Sequence, residues 1–318
     1  MVLKDRHGRP LLNLRVAITR RCNLHCEYCH MEGEEKLDVP SPEMTVDEIV
    51  RIIRIGAGLG ISKVKLTGGE PLLRDDIVEI VRGIASMPDL TDLSMTTNGT
   101  RLKALAEELH ENGLQRLNIT LPTVDEHLYR ELTGGNLKPV LKGIKTAVDV
   151  GFHPVKLNMV VLRDVNDCSF WQMLEFAREA KAILQLIELE PVNVSDDYYS
   201  QRHKSLDEYE SSLNRMALTV ETRRLMQNRR VYHLSDVTVE VIHPIENAEF
   251  CMHCTRLRLT SDGKLKPCLM VKDNLVDILA PMRNGVNDEE LAALFGLANQ
   301  KRQPYLEEKK PYQTVLTD

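Results

Sequence analysis

Residues 14–29 read LRVAITRRCNLHCEYC: an apolar run over 14–19 that opens directly onto three cysteines, Cys22, Cys26 and Cys29. A short run of this kind, bounded by a polar turn, has the character of a buried parallel strand. The C-x3-C-x2-C loop behind it is compact enough to wrap one inorganic cluster. Three thiolates serve three irons of a 4Fe-4S cube, and the fourth iron is left open to bind a substrate directly. A structural zinc loop is the alternative, because zinc takes four Cys or His ligands and His25 or His30 could supply the missing one.

Working outward, further strand-like runs occur at 64–67, 93–97, 116–121, 155–162 and 184–189. Between them, residues 45–57, 76–85, 101–111, 140–150 and 167–181 carry apolar side chains at three- and four-residue spacing, as amphipathic helices do. Thr45 and Glu48 form a candidate capping box. Six βα units in order predict an α/β fold, its parallel sheet doubly wound or curved into a barrel with right-handed crossovers. Ligands of such sheets sit at the C-terminal strand ends, where most of the motifs fall. Residues 1–210 are read as this domain and 211–318 as a mixed C-terminal part. The polar stretch 193–210 is read as a surface connection.

Composition narrows the class. The chain has 318 residues, 42% apolar and 28% charged, which is enough to bury a core without a metal. A net charge of -6 argues against nucleic-acid and anionic-membrane surfaces, which need Lys and Arg. The N-terminus MVLKDRHGRPLLNLRV lacks a signal-peptide core, and no apolar run reaches the ~18 residues of a membrane span. A cytoplasmic protein is expected. Six of the seven cysteines fall into two tight groups, an arrangement for metal rather than for disulfides. Cys168 stands apart and is read as a helix residue without metal.

The second group is Cys251, Cys254 and Cys268, in C-x2-C-x13-C spacing around Arg256 and Arg258. Three thiolates again imply a cluster with an open iron. Zinc closed by His253 or His243 is the alternative.

The first cysteine loop, followed by Thr67-Gly68-Gly69-Glu70-Pro71 after the second strand, resembles the radical S-adenosylmethionine superfamily. The resemblance implies that the open iron chelates the methionine amino and carboxylate groups. An electron from the cluster then breaks the sulfonium C–S bond to give a 5'-deoxyadenosyl radical. The Gly-Gly turn suits close backbone approach to that ligand, and Tyr28 would sit beside the adenine.

The segment FCMHCTRLRLTSDGKLKPCL at 250–269 is similar to the C-terminal cluster region of the GTP 3',8-cyclases, which open molybdenum cofactor (molybdopterin) biosynthesis. DRHGRPLLNLRVAITRRCNLHCEYC, KVKLTGGEPLLRDD, SMTTNGTRL, LNITLP, YRELTGG, PVKLNMVVLRDVND and LIELEPV follow in family order. The implied fold is an incomplete (β/α)6 TIM-like barrel with a smaller α+β C-terminal part carrying a second 4Fe-4S cluster. The implied GTP ligands are Arg15, Lys63, Lys65, Thr96, Lys156, Arg256 and Arg258. Tyr28, Gly69, Thr120 and Glu190 would contact S-adenosylmethionine. The three cysteines of the first cluster, with Arg256 and Arg258, would be catalytic.

The implied reaction removes hydrogen from C3' of the GTP ribose and joins C3' to C8, giving (8S)-3',8-cyclo-7,8-dihydroguanosine 5'-triphosphate. A reductant such as ferredoxin or flavodoxin, transfer of the product to cyclic pyranopterin monophosphate synthase, and a homodimer belong to the same expectation. Several residues depart from the pattern. Pro122 stands where the family often has an acidic residue, Thr120 where it has Ser, Gln185 where it has an Arg associated with S-adenosylmethionine, and Glu190 where it has an apolar residue. The sequence ends PYQTVLTD, without the Gly-Gly tail of many members; this tail and the wording LQLIELEP resemble archaeal members. Two other readings stay open: another radical enzyme with an auxiliary cluster, acting on a peptide, and a zinc-stabilised binding protein without catalysis.

Overall fold

The computed structural model describes residues 2–34 and 43–304. The six expected βα strands form: β1 (Asn13–Ala17), β2 (Lys63–Thr67), β3 (Asp92–Thr97), β4 (Arg116–Thr120), β5 (Val155–Val161) and β6 (Ile183–Glu188). Each pairs in parallel with the next. Helices α1 (Val46–Gly58), α2 (Ile77–Ala85), α3 (Leu102–Glu111), α4 (Glu126–Thr133), α5 (Leu137–Val150) and α6 (Phe170–Glu179) lie between them. Thr45 and Glu48 close the expected capping box on α1.

Three local readings differ from the structure. Helix α4 falls in the YRELTGG stretch; Asp125 caps it by accepting from Leu128 N at 2.8 Å, and Gly134 ends it at φ +70°. Helix α5 begins three residues before the expected start, because Pro139 sits in the first turn, where its missing N–H costs nothing. The polar stretch 193–210 is not a bare connection. It holds the short helix α7 (Asp196–Arg202), with no buried residue, and the start of α8 (Asp207–Met216).

Beyond α8 come β7 (Thr219–Arg223), β8 (Arg229–His233), β9 (Thr238–Ile242), α9 (Ala248–Met252), β10 (Arg256–Leu259), β11 (Lys264–Lys266), β12 (Val276–Asp277), α10 (Leu279–Arg283) and α11 (Asp288–Gln300). These strands extend the same sheet at both ends, in the order β12-β11-β10-β1-β2-β3-β4-β5-β6-β9-β8-β7. Both β10 beside β1 and β9 beside β6 run parallel. The parallel array therefore exceeds the six expected strands, with an antiparallel pair added at each end.

Alternation along the strands sets the two faces of the sheet. Leu14 and Val16, Val64 and Leu66, Leu93 and Met95, Leu117 and Ile119, Leu157 and Met159, and Leu184 and Leu186 are all buried against the helices. Full burial of each such side chain contributes about 1.5–3 kcal/mol. The intervening residues, Arg15, Lys63, Lys65, Ser94, Thr96, Arg116, Asn118, Lys156, Asn158 and Gln185, line a cavity of about 300 Å³. A filled barrel would place branched apolar residues there. Here the inner face is polar and accommodates a ligand.

Candidate functional site

Both cysteine triads open onto that cavity. The first lies in the loop leaving β1. Gly68 and Gly69 buttress it: Gly69 N donates to Thr19 O at 2.8 Å and Glu70 N to Arg21 O at 2.7 Å. A Cβ on Gly68, whose φ is +141°, would lie 2.3 Å from Thr19 O, and one on Gly69 would lie 2.3 Å from Arg21 O. The close approach expected of this turn is thus made first to the chain's own cysteine loop. Glu70, fully buried, accepts from Thr97 Oγ1 at 2.6 Å and Asn98 N at 2.6 Å, joining the loops after β2 and β3. Asn98 Nδ2 then reaches Asn23 at 2.9 Å and the Cys22 sulfur at 4.0 Å.

The second triad comes from α9, the turn after it and the loop after β11. Buried arginines from both ends of the described chain secure it. Arg9 Nη1 donates to Cys251 O at 2.8 Å, and Arg302 Nη2 donates to Cys254 O. Asp5, buried between them, pairs with Arg9 at 2.7 Å and Arg302 at 3.6 Å. Burial opposes ionisation of Cys254, yet Arg302 and Arg256 hold its thiol below the usual value. In the first triad, burial pushes Cys26 up to about 12 and raises Cys22 and Cys29 as well. Binding metal there must displace protons.

The donor sets fit clusters better than single zinc ions. With Zn–S bonds of about 2.3 Å, a tetrahedral zinc draws its sulfurs to about 3.8 Å of one another. Among the described residues, neither triad holds its three sulfurs within 4.8 Å of one another. Three of the four histidines offered as fourth ligands have other partners. His30 Nδ1 accepts from Glu32 N at 2.9 Å, His253 faces Glu249 at 3.3 Å, and His243 faces Glu188 at 3.4 Å. Cys168 is exposed in a single-turn 3-10 helix just ahead of α6.

Cations dominate the space between the triads. Pairing of β10 with β1 sets Arg258 beside Arg15 and Arg256 beside Asn13, and pairing of β1 with β2 sets Lys65 beside Arg15. Adjacent strands lie ~4.8 Å apart, so these side chains repel unless a counter-charge intervenes. Glu32 is one such charge. It pairs with Arg258 and with Arg15 at 3.8 Å, and accepts from Thr67 Oγ1 at 2.7 Å. Against the cost of burial, Arg15 and Arg258 hold its carboxyl well below the usual range. Lys65 donates to Asn118, and burial together with Arg15 lowers its pKa well below normal. Lys156 is paired with the buried Glu240, which also accepts from Gln185 at 2.8 Å. In all, ten Lys and Arg side chains but three carboxylates line the cavity, opposite in sign to the whole chain, and a bound anion would relieve that imbalance.

Tyr28, Gly69, Thr120, Glu190, Lys63 and Thr96 line the same cavity. Thr96 Oγ1 is buried with no partner among the described residues. Pro122 is buried beneath Asn166, whose Nδ2 it accepts at 2.9 Å. The PYQTVLTD tail lies outside the described residues. Sequence reasoning missed Glu32, Glu240, Arg229, Arg9 and Arg302. Arg9 sits within the DRHGRPLLNLRV stretch but was given no role, no local motif marks the other four, and their partners lie up to 297 positions away.

The chain matches the Radical SAM superfamily model over residues 16–177 and the Molybdenum Cofactor Synthesis C model over residues 182–308. It is 48% identical to the probable GTP 3',8-cyclase of Pyrococcus horikoshii over 310 residues, covering 96% of this chain and 98% of the relative. The chain belongs to the GTP 3',8-cyclase family. Another member, the probable GTP 3',8-cyclase of Methanothermobacter thermautotrophicus, is 44% identical over 96% of this chain and 99% of its own length. Among solved structures, Streptococcus suis SuiB bound to precursor peptide SuiA superposes with a TM-score of 0.63 at 20% identity, over 86% of this chain and 62% of SuiB. Native anSMEcpe with bound AdoMet gives 0.54 at 17% identity, over 82% and 75%. These two likenesses concern the fold alone. Among the described residues, no helix is long and apolar enough to cross a membrane.

Proposed function

We infer that the protein is a radical S-adenosylmethionine lyase that converts GTP to (8S)-3',8-cyclo-7,8-dihydroguanosine 5'-triphosphate, opening molybdenum cofactor biosynthesis. The observation that carries this reading is one cation-lined cavity onto which both three-cysteine loops open. When bound, S-adenosylmethionine and the cluster held by Cys22, Cys26 and Cys29 supply the one-electron chemistry that generates a hydrogen-abstracting radical.

The chain's own residues do the positioning. Arg15, Lys63, Lys65, Lys156, Arg256 and Arg258 neutralise the triphosphate, while Thr96 offers its unpartnered hydroxyl to it. Cys251, Cys254 and Cys268 would hold a second cluster, which would supply an iron ligand site for the purine, while the cations orient the ribose from the triphosphate side. Such orientation removes much of the entropic barrier to ring closure. Tyr28, Gly69, Thr120 and Glu190 form the S-adenosylmethionine pocket. Gln185, tied to Glu240, takes no ionic part in it.

A small reductant protein such as ferredoxin or flavodoxin, hand-over of the product to cyclic pyranopterin monophosphate synthase, a cytoplasmic site and a homodimer complete the proposal, supported by the family alone. A peptide substrate is disfavoured, because a cavity this cationic suits a polyphosphate. The test is anaerobic reconstitution with iron and sulfide, followed by assay of iron and of 5'-deoxyadenosine with and without GTP. About eight irons per chain and GTP-dependent product are expected. Zinc in place of iron, or cleavage indifferent to GTP, would overturn the reading.

A further inference from the structure

Arg229 opens β8, in none of the recognised motifs, yet it lines the cavity. It is 7% exposed. Its Nη2 donates to Gln227 Oε1 at 2.7 Å, while Nη1 stands 3.5 Å from Glu240 Oε1. That contact is too loose to satisfy either side: Arg229 Nε and Glu240 Oε1 are both buried without a hydrogen-bond partner among the described residues. A buried guanidinium N–H without an acceptor is costly, and an incoming anion would remove the cost.

The position of Arg229 is equally informative. Its strand lies near one end of the sheet and β10 near the other, yet Arg229 lines the same cavity as Arg15, Arg256 and Arg258. The sheet therefore curves enough for strands near its two ends to share one cavity. The turn before it is held in a demanding shape, with Gln227 at φ +64° and Asn228 at φ +54°. Gln227 N donates to the carbonyl of His253, between two cysteines of the second triad. The arginine is thereby referenced to that triad.

We propose that Arg229 is a phosphate ligand of this cavity, gripping the nucleotide from β8 while Arg15, Arg256 and Arg258 grip it from β1 and β10. The proposal rests on the GTP reading above and extends it to a residue that no motif marks. Gln227 is its positioning residue.

The test is equilibrium dialysis of GTP and of guanosine on the anaerobically reconstituted full chain, with iron content measured in parallel. Arg229→Gln should weaken GTP by about 10- to 100-fold, the scale of one charge-assisted hydrogen-bond set, leave guanosine unchanged, and recover in part as Arg229→Lys. Removing Arg229 exposes Glu240 to the loss of a neighbouring cation, so the same comparison is made between Glu240→Gln alone and Glu240→Gln with Arg229→Gln. The double variant should show the same loss even if the single variant folds poorly. Equal GTP affinity with and without Arg229 in the Glu240→Gln background would overturn the proposal and leave Arg229 a mere partner of Glu240. Wild-type protein that does not prefer GTP to guanosine would overturn the nucleotide reading itself.

Discussion

Arg302 donates to the backbone carbonyl of Cys254 across 48 residues of sequence, so the end of α11 holds one side of the second cysteine loop while Arg9, from the N-terminal turn, holds the other. Asp5 sits between the two guanidiniums and is itself fully buried. The loop's geometry thus depends on a clasp made by both ends of the described chain.

Arg302→Met should therefore loosen the second triad selectively. Removing one member of a buried ionic network costs about 3–5 kcal/mol, and the iron content of reconstituted protein should fall from about eight toward about four per chain. Iron assay with thermal unfolding checks this. Retention of full iron would show that the cysteines need no clasp.

Gly69→Ala should disable the first triad. The added methyl carbon would lie 2.3 Å from Arg21 O and 2.5 Å from Arg20 O, and these are backbone atoms that cannot swing aside. Overpacking of this kind costs about 1–3 kcal/mol or more. The expected result is loss of 5'-deoxyadenosine formation and of about half the iron, with the far-ultraviolet circular dichroism of the barrel preserved.

Arg256→Ala should leave both clusters assembled and weaken GTP by about 10- to 100-fold, the worth of a charge-assisted contact. Measuring GTP and guanosine binding side by side separates loss of a phosphate ligand from general damage, because only the former spares guanosine.

Stability should also vary with pH through His243. The Glu210 carboxylate, 3.8 Å from its Nδ1, raises its pKa, burial opposes the rise, and Glu188 adds to it. A histidine whose folded pKa exceeds its unfolded value, ~6.5, contributes stability that is fully present below pH ~6.5 and is lost as pH climbs through the folded pKa. The melting temperature of the wild type minus that of His243→Gln should therefore be positive near pH 6 and shrink toward pH 9. A difference that grows with pH would contradict the assignment.

The first triad was legible because its ligands are seven residues apart or less and follow a strand whose apolar character is local. The βα alternation was equally legible, since short apolar runs and apolar residues at three- to four-residue spacing are both local features of the sequence. Helix α4 was missed because eight residues between a capping Asp125 and a terminating Gly134 carry too few turns for a clear period.

What the sequence by itself determined was the set of local units: six βα units and two three-cysteine loops. What only the tertiary structure decided was which strands meet. Return of β10 to β1 sets Arg258 beside Arg15 and requires Glu32, while arrival of β9 at β6 brings Glu240 to Lys156 and, with β8, Arg229 to the cavity. Those pairings join residues as much as 243 positions apart, as Asn13 and Arg256 are. Neither spacing nor propensity carries such information; it arises when one sheet curves until its two ends share a cavity, and charges distant in sequence must then be balanced within it.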